Sequence, residues 1–278
     1  MIIDSHQHFW LLKRNDYKWL TPDMKVLYRD FLPGDLQPHL EKNNIFGTIL
    51  VQAAATEAET DYILSLANND KNILGVVGWV DFDKDNIYTR LDQLATNVKF
   101  VGIRPMLQDI EQTDWILKED YQNILSYLVK KNLTFDALIF PKHLEIIDKL
   151  ADNHPNLKII VNHLAKPNID DKNEFECWKN KLQKLAHHKN VHCKFSGLLT
   201  QSEKLLTLEE LQPYVTIIIE AFGSDRILWG SDWPVLTLKS TYDIWCKMSK
   251  QLLSGYSDAE ITQIMGTNAI KFYNLKNI

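Results

Sequence analysis

Two histidines, two residues apart, close the first apolar run of the chain, Ile2-Ile3-Asp4-Ser5-His6-Gln7-His8. Side chains at i and i+2 of a strand share one face. On a strand, both imidazoles would therefore project together, as a chelating pair or as paired hydrogen-bonding groups. Two imidazoles in a core layer are costly unless they have partners; the plainer alternative is one hydrogen-bonded core histidine and one facing solvent. Asp4 is expected on the same face, one layer deeper, as a structural carboxylate behind the pair. His163 ends another apolar run, Ile159-Ile160-Val161; a lone histidine is usually structural, and only beside the pair of the first strand does it count as a third imidazole at the same rim. Asp232 follows Ile227-Leu228-Trp229-Gly230-Ser231 and precedes Trp233-Pro234; a helix cap is its alternative reading. Together, three imidazoles and a carboxylate can activate a water, polarise a carbonyl or hold one divalent ion.

Such a set needs a scaffold that brings strand ends together. Eight short β-branched, apolar runs recur: Ile2–His8, Gly47–Gln52, Gly75–Val80, Phe100–Arg104, Thr134–Ile139, Lys158–His163, Val191–Ser196 and Arg226–Asp232. Segments of helical periodicity separate most of them, for example Leu144, Ile147 and Leu150 with Ile146 beside them, and Ile124, Leu125, Leu128 and Val129. Alternating strands and helices predict a parallel sheet, and a count of eight favours closure into a (β/α)8 TIM barrel. A doubly wound open sheet is the competing topology, but no GxGxxG or Walker-type loop follows the first strand. A length of 278 residues suits one barrel domain spanning residues 1–278. The long first connection, from about Phe9 to Asp35, carries Trp10, Tyr17, Trp19 and Tyr28 and reads as a loop that covers a site.

In such barrels the chemistry sits at the C-terminal ends of the strands. Besides the histidines and Asp232, those ends supply Gln52, Trp79, Arg104, Asp136, Lys194 and Ser196. Arg104 and Lys194 are cations placed to meet a substrate carbonyl or hydroxyl; each reads equally well as a salt-bridging residue. The formal net charge of -5, with acids and bases intermixed, points to neither a nucleic acid nor a membrane surface as partner. Three scattered cysteines without a CxxC pair argue against a disulfide framework and a cysteine zinc site. The N-terminus lacks the features of a signal peptide, and no apolar run is long enough to span a bilayer, so a cytoplasmic location is expected.

The joint pattern resembles a known family. Asp4-x-His6-x-His8, Gly102-Ile103-Arg104-Pro105, Asn162-His163-Leu164-Ala165-Lys166-Pro167, Lys194-x-Ser196-Gly197-Leu198 and Gly230-Ser231-Asp232-Trp233-Pro234-Val235 are similar to the amidohydrolase-related lactonases. The branch containing L-fuconolactonase and L-rhamnonolactonase is the most similar. Gly266-Thr267-Asn268-Ala269 with Phe272-Tyr273 resembles that family's final helix, so the likeness runs along the whole chain. It implies a TIM barrel and places His6, His8, His163 and Asp232 in the active centre, where the wider superfamily holds one or two divalent metals. Strand four here offers no Lys, Glu or Cys at the rim, and strand five no His; His143 falls in what reads as the first turn of a helix. This departure argues against a two-metal centre. It leaves either no metal or one divalent ion, zinc by preference, on His6, His8, His163 and Asp232.

The resemblance implies hydrolysis of a small-molecule sugar lactone. Asp232 would then take the proton of the attacking water, and the histidines would hydrogen-bond the carbonyl oxygen. Arg104, Lys194 and Gln52 would bind substrate oxygens, and Trp10, Trp79 and Trp233 would stack on the sugar ring or else fill the core. Five arginines in all, with only Arg104 at a strand end, lean away from a dicarboxylate substrate. The alternatives are a decarboxylase of aromatic or muconate-type acids, a pyrone-dicarboxylate lactonase, and a non-enzymatic barrel that only binds.

Overall fold

The computed structural model describes residues 1–276; the last two residues of the expected domain lie outside the described residues. Eight strands form one parallel sheet in sequence order: β1 (Ile2–Gln7), β2 (Ile45–Val51), β3 (Ile73–Gly78), β4 (Phe100–Ile103), β5 (Thr134–Ala137), β6 (Ile159–Val161), β7 (Val191–Phe195) and β8 (Ile227–Trp229). Helices follow in turn: α1 (Pro33–Asn43), α2 (Glu57–Asn69), α3 (Ile87–Ala95), α4 (Glu119–Lys130), α5 (Leu144–Asn153), α6 (Lys172–Leu185), α7 (Leu208–Phe222) and α8 (Tyr242–Leu252). This is the expected (β/α)8 TIM barrel. All eight expected runs contain a strand. The strands end earlier than expected, at Gln7 rather than His8 in β1 and at Trp229 rather than Asp232 in β8, because the last residues leave the ladder to build the mouth.

Local chemistry supports the order. Thr56, Thr207 and Thr241 cap α2, α7 and α8 by accepting a backbone N–H of the first turn, which satisfies a donor the helix cannot pair itself. In α5 the apolar spacing buries Leu144, Ile147 and Leu150, with Ile146 partly covered. Ile3, Ile49, Val51, Val77, Val101, Ile160 and Leu228 fill the barrel, and a larger apolar layer lies between strands and helices. The N-terminal end of the barrel is closed by the segment that includes α9 (Asp258–Thr262) and α10 (Asn268–Phe272). A glycine is required there, since a Cβ on Gly266 would lie 2.2 Å from the Met1 carbonyl oxygen. Among the described residues no helix is long and apolar enough to cross a membrane.

The seam between β1 and β8 positions the site. It is stitched at the mouth by His8 N–H to the Trp233 carbonyl (2.7 Å) and Asp232 N–H to the His6 carbonyl (2.8 Å). Along β1, Asp4 pairs with Thr48 and Gln7 with Leu50, so three steps on β1 oppose two on β2. This bulge reverses the alternation. Ile3 points into the barrel, Asp4 points out to Tyr242 of α8, and His6 points in again. The expectation that Asp4 lies beneath the histidines on one face is therefore corrected: a regular strand was assumed, and the bulge intervenes.

Candidate active site

The C-terminal mouth of the barrel holds a cavity of about 250 Å³. His8, His163, Asp232 and Arg104 line it, as do Lys166, Gln108, Asp109, Met106, Leu138 and Trp19. A larger cavity of about 640 Å³ opens near α7 and α10, but it contains none of the mouth residues. The convergence of histidines with a carboxylate, rather than size, marks the site.

Asp232 sits on left-handed backbone (φ 60°), a conformation that a non-glycine residue adopts at a cost. Its Oδ1 lies 3.3 Å from His8 Nε2, 3.7 Å from His6 Nε2 and 3.8 Å from His163 Nε2. Burial alone would raise its pKa, but its neighbours, first His163, which gains its charge only in acid, then His8 and Lys166, outweigh this and hold the carboxyl below its ordinary range. Burial in turn pushes His163 down to about 3, and lowers His8 and His6 as well. At neutral pH the centre is one carboxylate among three neutral imidazoles.

His163 begins a turn of four consecutive left-handed residues, His163, Leu164, Ala165 and Lys166, with φ of 53°, 54°, 60° and 53°. Each such residue costs about 1–2 kcal/mol. Leu164 and Ala165 are buried and the Leu164 carbonyl accepts from Trp178 Nε1 (2.8 Å), which anchors the turn. The reward is placement: His163 and Lys166, three residues apart, both face the cavity. Ser196 Oγ lies 2.9 Å from His163 Nδ1, and Gly197 is required behind it, because a Cβ there would lie 2.4 Å from that nitrogen.

The structure brings His8, His163, Asp232 and Arg104 to the cavity wall and places His6 directly beneath, fully buried, with its ring centroid 4.9 Å from His8 and 4.4 Å from His163. Several expected substrate contacts lie elsewhere. Trp10 is fully buried among Tyr17, Trp19 and Phe31, with its N–H on the Arg29 carbonyl, and Trp233 packs on Phe9 and Phe31. Both are core, because the first connection folds over the seam and uses them as its own apolar anchor. Trp79 is half-buried, its backbone is clamped by Thr60, and it does not line the cavity. Gln52 is fully buried and serves Arg104: its amide donates to the Arg104 carbonyl, and Arg104 Nη2 donates to Gln52 Oε1 (3.0 Å). Lys194, with no exposed surface, donates to Asp136 (2.6 Å) rather than facing the cavity. His143 is buried at the start of α5 and does not line the cavity.

Sequence reasoning missed Lys166, Gln108 and Asp109. Lys166 Nζ donates to Gln108 Oε1 (2.6 Å), and burial lowers its pKa. Lys166 belongs to the motif quoted around His163, yet its direction depends on the left-handed turn. Trp19, noticed only as part of a covering loop, reaches the cavity with its N–H on the Ala53 carbonyl (2.8 Å). Glu59 was also unforeseen: fully buried on α2, it accepts from Ala53 and Ala54 N–H and fixes that part of the wall.

The amidohydrolase family model matches residues 3–275. The chain belongs to the amidohydrolase family. Within it, the chain is 36% identical to an L-fucono-1,5-lactonase of Burkholderia ambifaria, covering 98% of this chain and 95% of that one. It is 31% identical to an L-fucono-1,5-lactonase of Burkholderia multivorans, over 98% and 96%. A crystal structure of an amidohydrolase from Burkholderia multivorans with bound zinc superimposes with a TM-score of 0.94 at 30% identity, covering 99% of both chains. In the amidohydrolase described here, one ligand atom each from His6, His8 and Asp232 lies within 4.8 Å of the others, a spacing that can hold an ion.

Proposed function

We propose that this amidohydrolase is a lactonase that opens a sugar-acid lactone to its hydroxy acid, with Asp232 as the base and without a resident metal. The observation that carries the reading is Asp232 itself, an ionised carboxylate held on strained backbone at the wall of a cavity that also presents Arg104 and Lys166. The L-fucono-1,5-lactonase relatives support the substrate class. The cavity supports it too: donors, acceptors and the apolar surfaces of Trp19, Met106 and Leu138 suit a single polyhydroxylated ring. A lone arginine in the wall suits a neutral lactone better than a dicarboxylate.

Asp232 takes a proton from a water, and the oxygen of that water adds to the lactone carbonyl carbon. Arg104 and His163 face the developing oxyanion; losing one such donor costs about 3 kcal/mol of transition-state stabilisation. Collapse breaks the ring C–O bond, and the ring oxygen takes the proton from Asp232. The product acid then releases a proton to solvent.

The donor set around His6 does not fit a divalent ion. The other nitrogen of a metal-bound histidine ordinarily donates to a carboxylate or carbonyl. His8 meets that condition, with Nδ1 on the Val51 carbonyl (2.8 Å). His6 does not: its Nδ1 lies 3.1 Å from the Lys194 ammonium and its Nε2 lies 3.4 Å from Arg104 Nη1. A divalent ion there would face two cations, which supports a metal-free centre.

The test is proton release against a panel of L-fucono-, L-rhamnono- and related aldonolactones. Rapid hydrolysis of at least one is expected. Turnover of none, or decarboxylation of an aromatic acid instead, would overturn the assignment.

A further inference from the structure

Below the cavity, inside the barrel, lies a chain of buried polar groups that the proposed chemistry does not use directly. Asp136 on β5 and Lys194 on β7 form an ion pair (2.6 Å) with no exposed surface. Asp136 also accepts from Tyr273 Oη (3.1 and 3.2 Å) and from Asn162 Nδ2 (3.1 Å). Tyr273 comes from the segment that closes the opposite end of the barrel, just past α10. Removing such a charge from water is costly, and a pair of this kind is weak evidence for stability. Its position, against His6, points to another use.

Hydrogen-bond direction decides what it does. An ammonium has donors only, and the Asp136 carboxylate at 2.6 Å holds Lys194 in that form. His6 Nδ1, 3.1 Å from Lys194 Nζ, must therefore accept, and the proton of the neutral ring sits on Nε2. The other end of the chain agrees independently. The Val51 carbonyl can only accept, so His8 carries its proton on Nδ1 and leaves Nε2 as an acceptor. His6 Nε2 and His8 Nε2 are 3.2 Å apart, and only the arrangement with the proton on the His6 side makes this a hydrogen bond. Arg104 Nη1, slightly farther at 3.4 Å, has Asn162 Oδ1 (3.5 Å) as its acceptor instead, while Nη2 of the same guanidinium donates to Gln52 Oε1 (3.0 Å).

We propose that Lys194, clamped by Asp136 and Tyr273, is a positioning residue that fixes the tautomer of His6 with its proton on Nε2 and, through it, keeps His8 Nε2 an acceptor beside Asp232. His8 then gives no hydrogen bond to Asp232 Oδ1, 3.3 Å away, and the lone pairs of the base stay open to water. The segment that plugs one end of the barrel thus sets the state of the histidines at the other.

Nitrogen-15 spectra of the histidine-labelled full chain test this, with His6 assigned through His6→Asn. The tautomer is read without substrate, so a failure of the lactonase reading would appear separately, as absent turnover by the unaltered enzyme. The expected spectrum shows His6 protonated on Nε2 and bare on Nδ1. The paired variant Asp136→Asn/Lys194→Met removes both charges and so leaves no unpaired buried ion. It is expected to move His6 toward the Nδ1–H form and to lower kcat about 10–100-fold, the usual range for a group that orients a catalytic histidine. Tyr273→Phe, a milder change, is expected to give a smaller shift in the same direction. His6 protonated on Nδ1 in the unaltered protein, or an unchanged tautomer in the paired variant, would overturn the proposal.

Discussion

The two sides of the β1–β8 seam each bury an aspartate, and the two differ in every respect that matters. On the outer side, Asp4 accepts from His6 N–H (3.2 Å), Ser231 N–H (2.8 Å) and Tyr242 Oη (3.0 Å). Burial still pushes its pKa up to about 6 despite those bonds. On the inner side, Asp232 is held below the ordinary carboxylate range, has imidazoles rather than backbone amides around it, and borders a cavity. A carboxylate whose lone pairs are taken by fixed donors is scaffold. One that remains ionised with lone pairs to spare is free to act as a base. Burial alone separates neither.

The largest effect that would sharpen this contrast is in turnover. Asp232→Asn is expected to lower kcat by about 10²–10⁴-fold with an unfolding midpoint close to that of the unaltered protein. Unchanged steady-state hydrolysis would put the base elsewhere. Next, Arg104→Met is expected to lower kcat/KM on a sugar lactone by about 10²-fold, the scale of one oxyanion donor, and Lys166→Met, which removes the other cation of the cavity wall, by less; Arg104→Lys should not restore the rate, since a point charge does not replace a fork held by Gln52.

The outer aspartate should respond in stability. Asp4→Ala leaves the Ser231 amide and the Tyr242 hydroxyl buried without their acceptor, a loss of about 1–3 kcal/mol for each unsatisfied group, readable by denaturant unfolding. Equal losses of kcat in Asp4→Ala and Asp232→Asn, at a temperature where both are folded, would erase the distinction.

The smallest effect concerns pH. His163 is near 3 in the folded protein, against about 6.5 for an unperturbed histidine. The unfolded chain therefore binds more protons between those values, so His163 contributes stability that is complete above about pH 6.5 and is lost as pH falls toward 3. His163→Gln should lose less stability than the unaltered protein between pH 7 and pH 4. A steeper loss in the variant would contradict the neutral imidazole.

Much of this was legible in the sequence because it is local. Short β-branched apolar runs marked the eight strands, and polar residues ending those runs marked His8, His163, Asp232 and Arg104. What was not legible depends on contacts between distant segments. The bulge that turns His6 inward and Asp4 outward appears only when β1 is laid against β2. The left-handed turn that aims Lys166 carries no glycine to announce it. Trp10 and Trp233 looked like stacking surfaces because aromatic type does not reveal which side of a loop is covered. Lys194 looked like a substrate cation because its partner, Asp136, lies 58 residues away in the chain.

The measurement that bears most directly on the central claim is hydrolysis of L-fucono-1,5-lactone by the purified protein and by Asp232→Asn, each before and after exhaustive chelation, with metal content determined on the same samples. The account predicts that the unaltered protein keeps its rate after chelation, with less than stoichiometric metal, and that Asp232→Asn stays about 10²–10⁴-fold slower in both states. A rate abolished by chelation and restored by zinc would contradict it and would move His6, His8 and Asp232 into a metal site.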